Sequence, residues 1–120
     1  MIPVKPHHRL EAWKEAMALV RAVYEVTRCF PADETYGLAS QLRRAAVSVP
    51  SNLAEGAGRD GVREFLRFLS IARGSLSELE TQLLIAADLG YLPAEHRAFA
   101  LLQRVSRLIT GLHRKLSLQR

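Results

Sequence analysis

Hydrophobic residues recur every three to four positions along most of the chain, a spacing that places them on one face of an α-helix. Four stretches show this pattern: from about residue 9 to 29, from between Asp33 and Leu38 to about 57, from about 61 to 89, and from about 94 to 116. No stretch alternates apolar and polar residues as a half-buried β-strand does. The sequence therefore predicts an all-α protein, an antiparallel four-helix bundle in up-down-up-down order.

Proline and glycine separate the predicted helices. Pro31 pushes the residue before it out of the helical region, Gly90 can take the left-handed conformation that ends a helix, and Pro93 prevents the third helix from continuing. Residues 1–8 hold two prolines and no helical periodicity, so we expect an extended N-terminal arm. Residues 9–117 are predicted to form a single bundle domain.

The second predicted helix carries a proline in its interior. Pro50 has no N–H to donate to the carbonyl four residues earlier, so we expect a kink there. A polar stripe beside the apolar face of this helix includes Arg44 and Glu55, three turns apart. We interpret these charges as a structural pair, which would fix register if buried at an oligomer contact and contribute little if exposed. Gly56 and Gly58 follow, and either can provide a left-handed cap.

The third predicted helix has a second special face besides its core stripe. Its apolar core stripe runs over six turns, from Phe65 to Ala86. Small residues occupy another side of the helix, and they include Ser70, Gly74 and Ser77. Small residues let another helix approach closely, so these positions predict a second packing partner, either a neighbouring helix of the bundle or a neighbouring subunit.

Length and composition narrow the class of protein. With 120 residues, 48% of them hydrophobic, the chain can bury one core without disulfides or metal. No apolar run approaches the roughly 20 residues needed to span a bilayer, and the N-terminus lacks the apolar segment of a signal peptide. We therefore expect a cytoplasmic protein with no membrane partner. The single cysteine, Cys29, is predicted to be a buried or half-buried apolar residue near a helix end.

The formal net charge of +5 comes from the last segment of the chain. Residues 1–94 contain 11 Lys and Arg and 11 Asp and Glu, whereas residues 95–120 contain six basic residues and one acidic residue. Arginine presents a planar fork that suits phosphate, so we predict nucleic-acid binding that is directed at the backbone. The alternative is a solvated outer face. Five basic residues lie within about 100° of arc on the fourth helix, and they are Arg97, Arg104, Arg107, Arg114 and Lys115.

No arrangement of residues indicates catalysis or metal binding. His7 and His8 are adjacent on the predicted arm, while His96 and His113 stand alone, so no pair of ligands at helical spacing is present. The serines lack a nearby histidine that could act as their base. We therefore predict no catalytic residue, no metal site and no cofactor.

Several separate motifs together resemble one protein family. They are Trp13 and the segments 41–59, 65–69, 74–80 and 89–92. In order and spacing they resemble the bacterial four-helix-bundle family named for intervening sequences in large-subunit ribosomal RNA genes. The resemblance implies a homo-oligomer, a pentamer, with a nucleic-acid role and no catalytic residues. This family is also structurally similar to the accessory proteins of diversity-generating retroelements, basic pentamers that work beside a reverse transcriptase and its RNA.

Two hypotheses for the function follow. The first is a non-enzymatic homo-oligomer that binds RNA or DNA through the basic face of its last helix, with a reverse transcriptase or another protein as a candidate partner. The alternative is a protein adaptor or assembly scaffold without physiological nucleic-acid binding. Six residues are assigned to structural or oligomer contacts, and they are Arg44, Pro50, Glu55, Ser70, Gly74 and Ser77.

Overall fold

The computed structural model describes residues 3–119 and contains four α-helices. They are α1 (Glu11–Arg28), α2 (Leu38–Ala57), α3 (Val62–Asp88) and α4 (Arg97–Ser117). Short turns of 3-10 helix, Pro6–Arg9 and Ala32–Glu34, precede α1 and α2. Residues 3–119 include no β-strand, and none of their helices is long and apolar enough to cross a membrane. The prediction of an all-α four-helix bundle is confirmed.

Each helix packs against two neighbours, in the cyclic order α1, α2, α3, α4. The backbones of diagonal helices do not approach within 8 Å, measured between Cα atoms, in the described part of the chain. The centre is filled by apolar side chains from all four helices, because each helix turns its periodic apolar face inward. The largest fully buried side chains are Leu19, Val23, Leu42, Val49, Leu53, Leu69, Leu79, Leu83, Val105 and Ile109.

Polar contacts between α2 and α3 show which parts of these helices lie together. Gln82 donates to Gln41 at 3.5 Å, and the hydroxyl oxygens of Ser48 and Ser75 are 2.7 Å apart. Later residues of α2 therefore meet earlier residues of α3, which is the order that antiparallel neighbours produce. Two salt bridges between α1 and α4, described below, follow the same opposite order.

Gly56 marks a close approach of α2 and α3. A Cβ atom at this position would lie 2.8 Å from Cβ of Phe68, so no larger residue fits without movement. The predicted left-handed cap at Gly56 or Gly58 is wrong, because Gly56 lies inside α2 and Gly58, the capping residue, has a φ of −87°. The left-handed conformation occurs at Gly61, before α3, and at the predicted position Gly90, with φ of 86° and 80°.

Pro50 is buried inside α2, which continues from Leu38 to Ala57. The hydroxyl of Ser51 donates to the carbonyl of Val47 at 2.8 Å, so a side chain adds a hydrogen bond to the backbone beside the missing N–H. The helix is therefore not interrupted at the proline. The kink expected there stays a prediction.

The described part of the N-terminal arm is not extended throughout. Pro6–Arg9 form a turn, and the rings of His7 and His8 lie 5.2 and 4.9 Å from the ring of Trp13. Burial, together with the nearby charges of His8 and Lys5, lowers the pKa of His7. The extended conformation expected for residues 1–8 is thus wrong for this turn, because the aromatic contact draws it onto α1; residues 1 and 2 lie outside the described residues. The domain boundary at residue 9 stays a prediction.

Cys29 ends α1 and is exposed. Its Sγ lies 3.9 Å from the carbonyl oxygen of Glu25, and the next residue, Phe30, takes the buried position. The ring of Phe30 packs against that of Tyr91 with the centroids 5.1 Å apart. The prediction of a buried or half-buried cysteine is therefore wrong, because Phe30 closes this end of the core instead.

Candidate nucleic-acid interface

Two of the five basic residues predicted on α4 are held by acidic residues of α1. Arg97 forms a short salt bridge with Glu25, and Nε of Arg104 lies 2.9 Å from Oε1 of Glu15. Such partly exposed pairs add at most about 1 kcal/mol to stability. Their larger effect is electrostatic, because each carboxylate cancels the arginine charge beside it. The side of α4 that faces α1 is therefore close to neutral.

The other three basic residues of α4 remain available to contact an anion. Arg107, Arg114 and Lys115 are exposed, and none of them forms a salt bridge within residues 3–119. Arg107 and Arg114 line an open depression of about 310 Å³ together with Thr110 and Gly111. The free positive charge of α4 thus lies in its C-terminal half.

Three arginines of α3 lie along the same side of the bundle. Arg63 and Arg67 line a depression of about 280 Å³ together with His113 of α4. Arg73 and Thr110 line a cavity of about 120 Å³ between the two helices. We call this surface the α3–α4 groove, and its basic residues are Arg63, Arg67, Arg73, Arg107 and Arg114.

The acidic residues of the α3–α4 groove are engaged by neighbours. Oε1 of Glu64 lies 3.5 Å from Nη1 of Arg67, and Glu80 accepts a hydrogen bond from Gln103 at 2.8 Å. Five arginines against two glutamates leave the groove positive. Ser77 and Thr110 add hydroxyl groups, which also bind phosphate oxygens.

The two ends of the bundle carry different charge. Gly56 lies close to Phe68, and Ser70 and His113 line one depression, so the end of α2, the first half of α3 and the end of α4 lie at the same end of the bundle. Trp13 of α1 and the second half of α2 line one groove at this end. This half, residues 3–19, 48–74 and 107–119, has ten Lys and Arg against five Asp and Glu. The other half, residues 20–47 and 75–106, has six against seven. The charge excess therefore sits at one end, on several helices.

Sequence reasoning missed the arginines of α3. The net charge of residues 1–94 is zero, so a count along the sequence does not reveal the basic cluster. The acidic residues that balance it in the count lie at the other end of the bundle. The helical spacing of Arg63 and Arg67 was the one available signal, because residues four apart share a face. That signal alone does not distinguish a binding surface from an ordinary solvated face.

Arg44 and Glu55 do not pair with each other. They are 11 residues apart, which is about 16 Å along one helix, beyond the reach of a salt bridge. Oε2 of Glu55 instead lies 2.7 Å from Nη2 of Arg59, and this hydrogen bond raises the pKa of Arg59. Arg44 is exposed and has no salt bridge within residues 3–119. Their assignment to an oligomer contact stays a prediction.

The small residues of α3 are exposed. Ser70 and Ser77 border depressions that residues of α4 also line, and Gly74 lies between them on α3. The two alternatives for their packing partner, a neighbouring helix of the bundle and a neighbouring subunit, both stay predictions. Ile71 and Ile85 of the same helix are 41% and 44% exposed, which is high for isoleucine in a helix of this core.

Pro50 lies on a different surface. It lines an apolar groove of about 310 Å³ between α1 and α2, together with Trp13, Met17, Val20 and Val47. The proline side chain itself is buried, so any contact that it makes with another subunit would pass through this groove. Its assignment to an oligomer contact also stays a prediction.

The described residues hold no group of His, Cys, Asp and Glu side chains that converges on one point as metal ligands do. One hydroxyl contacts an imidazole: Oγ of Ser117 lies 3.4 Å from Nδ1 of His113. That hydroxyl also donates to the carbonyl oxygen of His113 at 2.8 Å, which makes it a local helix contact. What the arrangement offers chemically is a row of guanidinium and hydroxyl donors for anionic oxygens.

The fold and the surface define a small all-helical bundle protein with a positively charged groove. The chain belongs to the family of the 23S rRNA-intervening sequence protein, whose sequence model matches residues 8–112, nearly the whole bundle. This confirms the resemblance carried by the sequence motifs. The family comprises small helical proteins and is not a known enzyme family. Comparison with curated proteins finds no match.

Proposed function

We propose that this protein is a non-enzymatic, homo-oligomeric helical bundle that binds the backbone of RNA or DNA along the α3–α4 groove. The observation that carries the proposal is that Arg107 and Arg114 are exposed and have no acidic partner within residues 3–119. The depression that they line adjoins the cavity lined by Arg73 of α3, because Ser106 and Thr110 line both. Lys115 adds a further charge at the same end. Arg97 and Arg104, predicted to bind with them, contribute less because Glu25 and Glu15 hold them.

The spacing of these residues suits contacts with two phosphates of one strand. Arg107 and Arg114 are seven residues apart, so they project from the same face of α4 about 10 Å from each other. No Phe, Tyr or Trp lines the α3–α4 groove among the described residues, so base stacking has no platform there. Binding should therefore depend strongly on salt and weakly on sequence.

Assembly would strengthen this binding. Several copies placed around one axis multiply the local positive charge and so the attraction for a polyanion. The small and apolar residues exposed on α3 support a contact between subunits, and the family resemblance implies five subunits. The family's name supports an RNA partner, and a reverse transcriptase or another protein stays a candidate partner. The expected cytoplasmic location stays a prediction.

The binding proposal is tested by fluorescence anisotropy with short labelled RNA and duplex DNA, titrated across salt concentrations. Arg107→Gln with Arg114→Gln should lower affinity at least about tenfold and reduce the salt slope by about two, one for each lost phosphate contact. Arg97→Gln with Arg104→Gln is the matched control, because it removes the same charge from the same helix. It should change affinity less than about threefold.

Two results would overturn the binding proposal. Equal losses in the groove variant and the control would mean that net charge alone governs binding. Unchanged affinity in the groove variant would mean that the α3–α4 groove is not the site. Circular dichroism of both variants confirms that helicity is preserved, so a loss of binding is not a loss of fold.

The assembly part is tested by light scattering. We expect a mass several times the 13.4 kDa of one chain, and five times this mass for the pentamer that the resemblance implies. A 13.4 kDa species at micromolar concentration would refute the oligomer. The measurement needs no nucleic acid, so it is independent of the binding experiment.

A protein adaptor or scaffold is the second candidate function. The observation in its favour is that Ile71, Leu84 and Ile85 of α3 are 41 to 52% exposed, as apolar residues at protein contacts are. Pull-down from a nuclease-treated lysate distinguishes the two functions. A protein partner that is retained without nucleic acid, from a bundle that shows no salt-dependent binding of RNA or DNA, would favour the adaptor.

A further inference from the structure

A second groove, between α2 and α3, is lined mainly by polar side chains. It has a volume of about 290 Å³, and we call it the α2–α3 groove. Three of its α2 residues, Gln41, Arg44 and Ser48, belong to the polar stripe that the sequence shows beside the apolar face of this helix. The lining residues are Gln41, Arg44, Ala45, Ser48, Glu78 and Gln82.

Gln82 leaves one buried polar atom of this groove without a partner. Its side chain is only 7% exposed, and its Nε2 lies 3.5 Å from Oε1 of Gln41, a long hydrogen bond. Its Oε1 is buried and has no hydrogen-bond partner. Among the side-chain nitrogen and oxygen atoms of residues 3–119, it is the one buried atom without a hydrogen bond. Exchanging the two amide atoms would leave Nε2 unpaired in the same place. Native proteins contain few such atoms, so the groove calls for an occupant that donates or accepts there.

Charges of opposite sign line the same groove. Arg44 of α2 and Glu78 of α3 are both exposed, and neither forms a salt bridge within the described part of the chain. By contrast, Arg104 and Glu15 form a salt bridge with each other between α4 and α1. The groove therefore offers one unpaired positive and one unpaired negative group.

Apolar residues continue this surface along α3. Ile71 and Ile85 lie seven residues before and after Glu78, which puts all three on one line along α3. Exposed apolar residues around a polar centre are a common composition of protein contacts.

We propose that the α2–α3 groove is a contact between two copies of this chain, in which Arg44 of one copy pairs with Glu78 of the other and a polar group of the neighbour reaches the unpaired amide atom of Gln82. This inference rests on the proposed oligomer and names its contact. The charge pattern favours a second copy as the occupant, because the α2 side of the groove carries Arg44 and the α3 side carries Glu78, so the α2 side of one copy complements the α3 side of the next copy in a ring. A nucleic-acid backbone would be repelled by Glu78.

The test uses charge reversal followed by mixing. Arg44→Glu and Glu78→Arg each place like charges across the contact, so each variant alone should dissociate at a protein concentration at least about tenfold higher than the wild type. Mixing the two variants pairs Glu at position 44 of one copy with Arg at position 78 of the other. The chain that carries both substitutions should therefore recover assembly fully. The mixture should recover most of it, because a ring of five leaves at least one contact between two copies of the same variant.

Controls separate this contact from effects within one chain. Arg21→Glu and Glu95→Arg make the same changes of charge at exposed positions that do not line the groove, and they should leave the dissociation concentration within about threefold of wild type. If Arg44 and Glu78 acted only on each other within one chain, the double variant would be rescued but the mixture would not. That result would overturn the inference.

Gln82→Leu provides an independent readout. If a neighbouring copy bonds to the amide, the substitution should weaken assembly by several-fold. A raised melting temperature with unchanged assembly would instead show that the amide has no partner in the oligomer, and would overturn this part of the inference. A monomeric wild type would refute the oligomer itself, whereas oligomeric single variants would refute only this contact.

Discussion

Replacing Gly56 by alanine tests the close packing of α2 against α3. In an open helix interior, glycine to alanine raises the free energy of unfolding by roughly 0.5–1 kcal/mol, because alanine has less backbone entropy to lose. At Gly56 the new methyl would lie 2.8 Å from Cβ of Phe68 and 3.0 Å from Cδ1 of Phe65. Forcing a methyl group into a packed core costs roughly 1–3 kcal/mol. We therefore expect Gly56→Ala to lower the free energy of unfolding by about 1 kcal/mol.

Gly111→Ala is the matched control. Gly111 also lies inside a helix, and a Cβ there meets no atom within 4 Å, so this variant should be more stable than the wild type by roughly 0.5–1 kcal/mol. Urea unfolding followed by far-ultraviolet circular dichroism, at one fixed protein concentration, measures both. The difference between the variants isolates the steric cost. A Gly56→Ala protein as stable as Gly111→Ala would refute the close approach.

Two further changes test contacts at the other end of the bundle. Thr27 is buried and accepts a hydrogen bond from Nε of Arg43 at 2.7 Å. Thr27→Val removes this bond and should lower the free energy of unfolding by about 1 kcal/mol, whereas Thr27→Ser keeps it. Equal urea midpoints for the two variants would contradict this prediction. Tyr91 donates a hydrogen bond of 3.0 Å to Glu34, and this bond raises the pKa of Tyr91 above its ordinary value of 10.0. The stabilisation from this bond is therefore complete below pH 10 and is lost as the pH rises through the pKa of Tyr91 in the folded protein. The melting temperatures of the wild type and Tyr91→Phe should therefore converge at high pH, and a constant gap would argue against this bond.

The helices could be predicted because their signals are local. The third helix was expected from about 61 to 89 and is found at Val62–Asp88, since apolar spacing and a following left-handed glycine act within a few residues. The fourth helix begins at Arg97, later than the expected 94. The imidazole of His96 accepts the N–H of Ala98 at 3.1 Å and so caps the helix, and histidine is not among the residues that usually signal a cap.

The candidate site could be predicted only in part. Clustering of basic residues on α4 was visible in the sequence, but the neutralisation of Arg104 was not, because its partner Glu15 is 89 residues away. Similarly, the expected pairing of Arg44 with Glu55 did not take into account the length of helix between them. Glu55 forms a salt bridge with Arg59 instead. Ion pairs between helices depend on how the helices pack, which no single segment specifies.

By itself, the sequence determined that this protein is an all-α bundle and which family it belongs to, because apolar periodicity and short motifs are properties of individual segments. Only the tertiary structure decided which charges remain free. Among residues 3–119, packing set Arg104 beside Glu15, left Arg107 without an acidic partner, and buried the amide oxygen of Gln82 without a hydrogen-bond partner. The physical reason is that helix formation rests on contacts three to four residues apart, whereas charge neutralisation rests on contacts between helices.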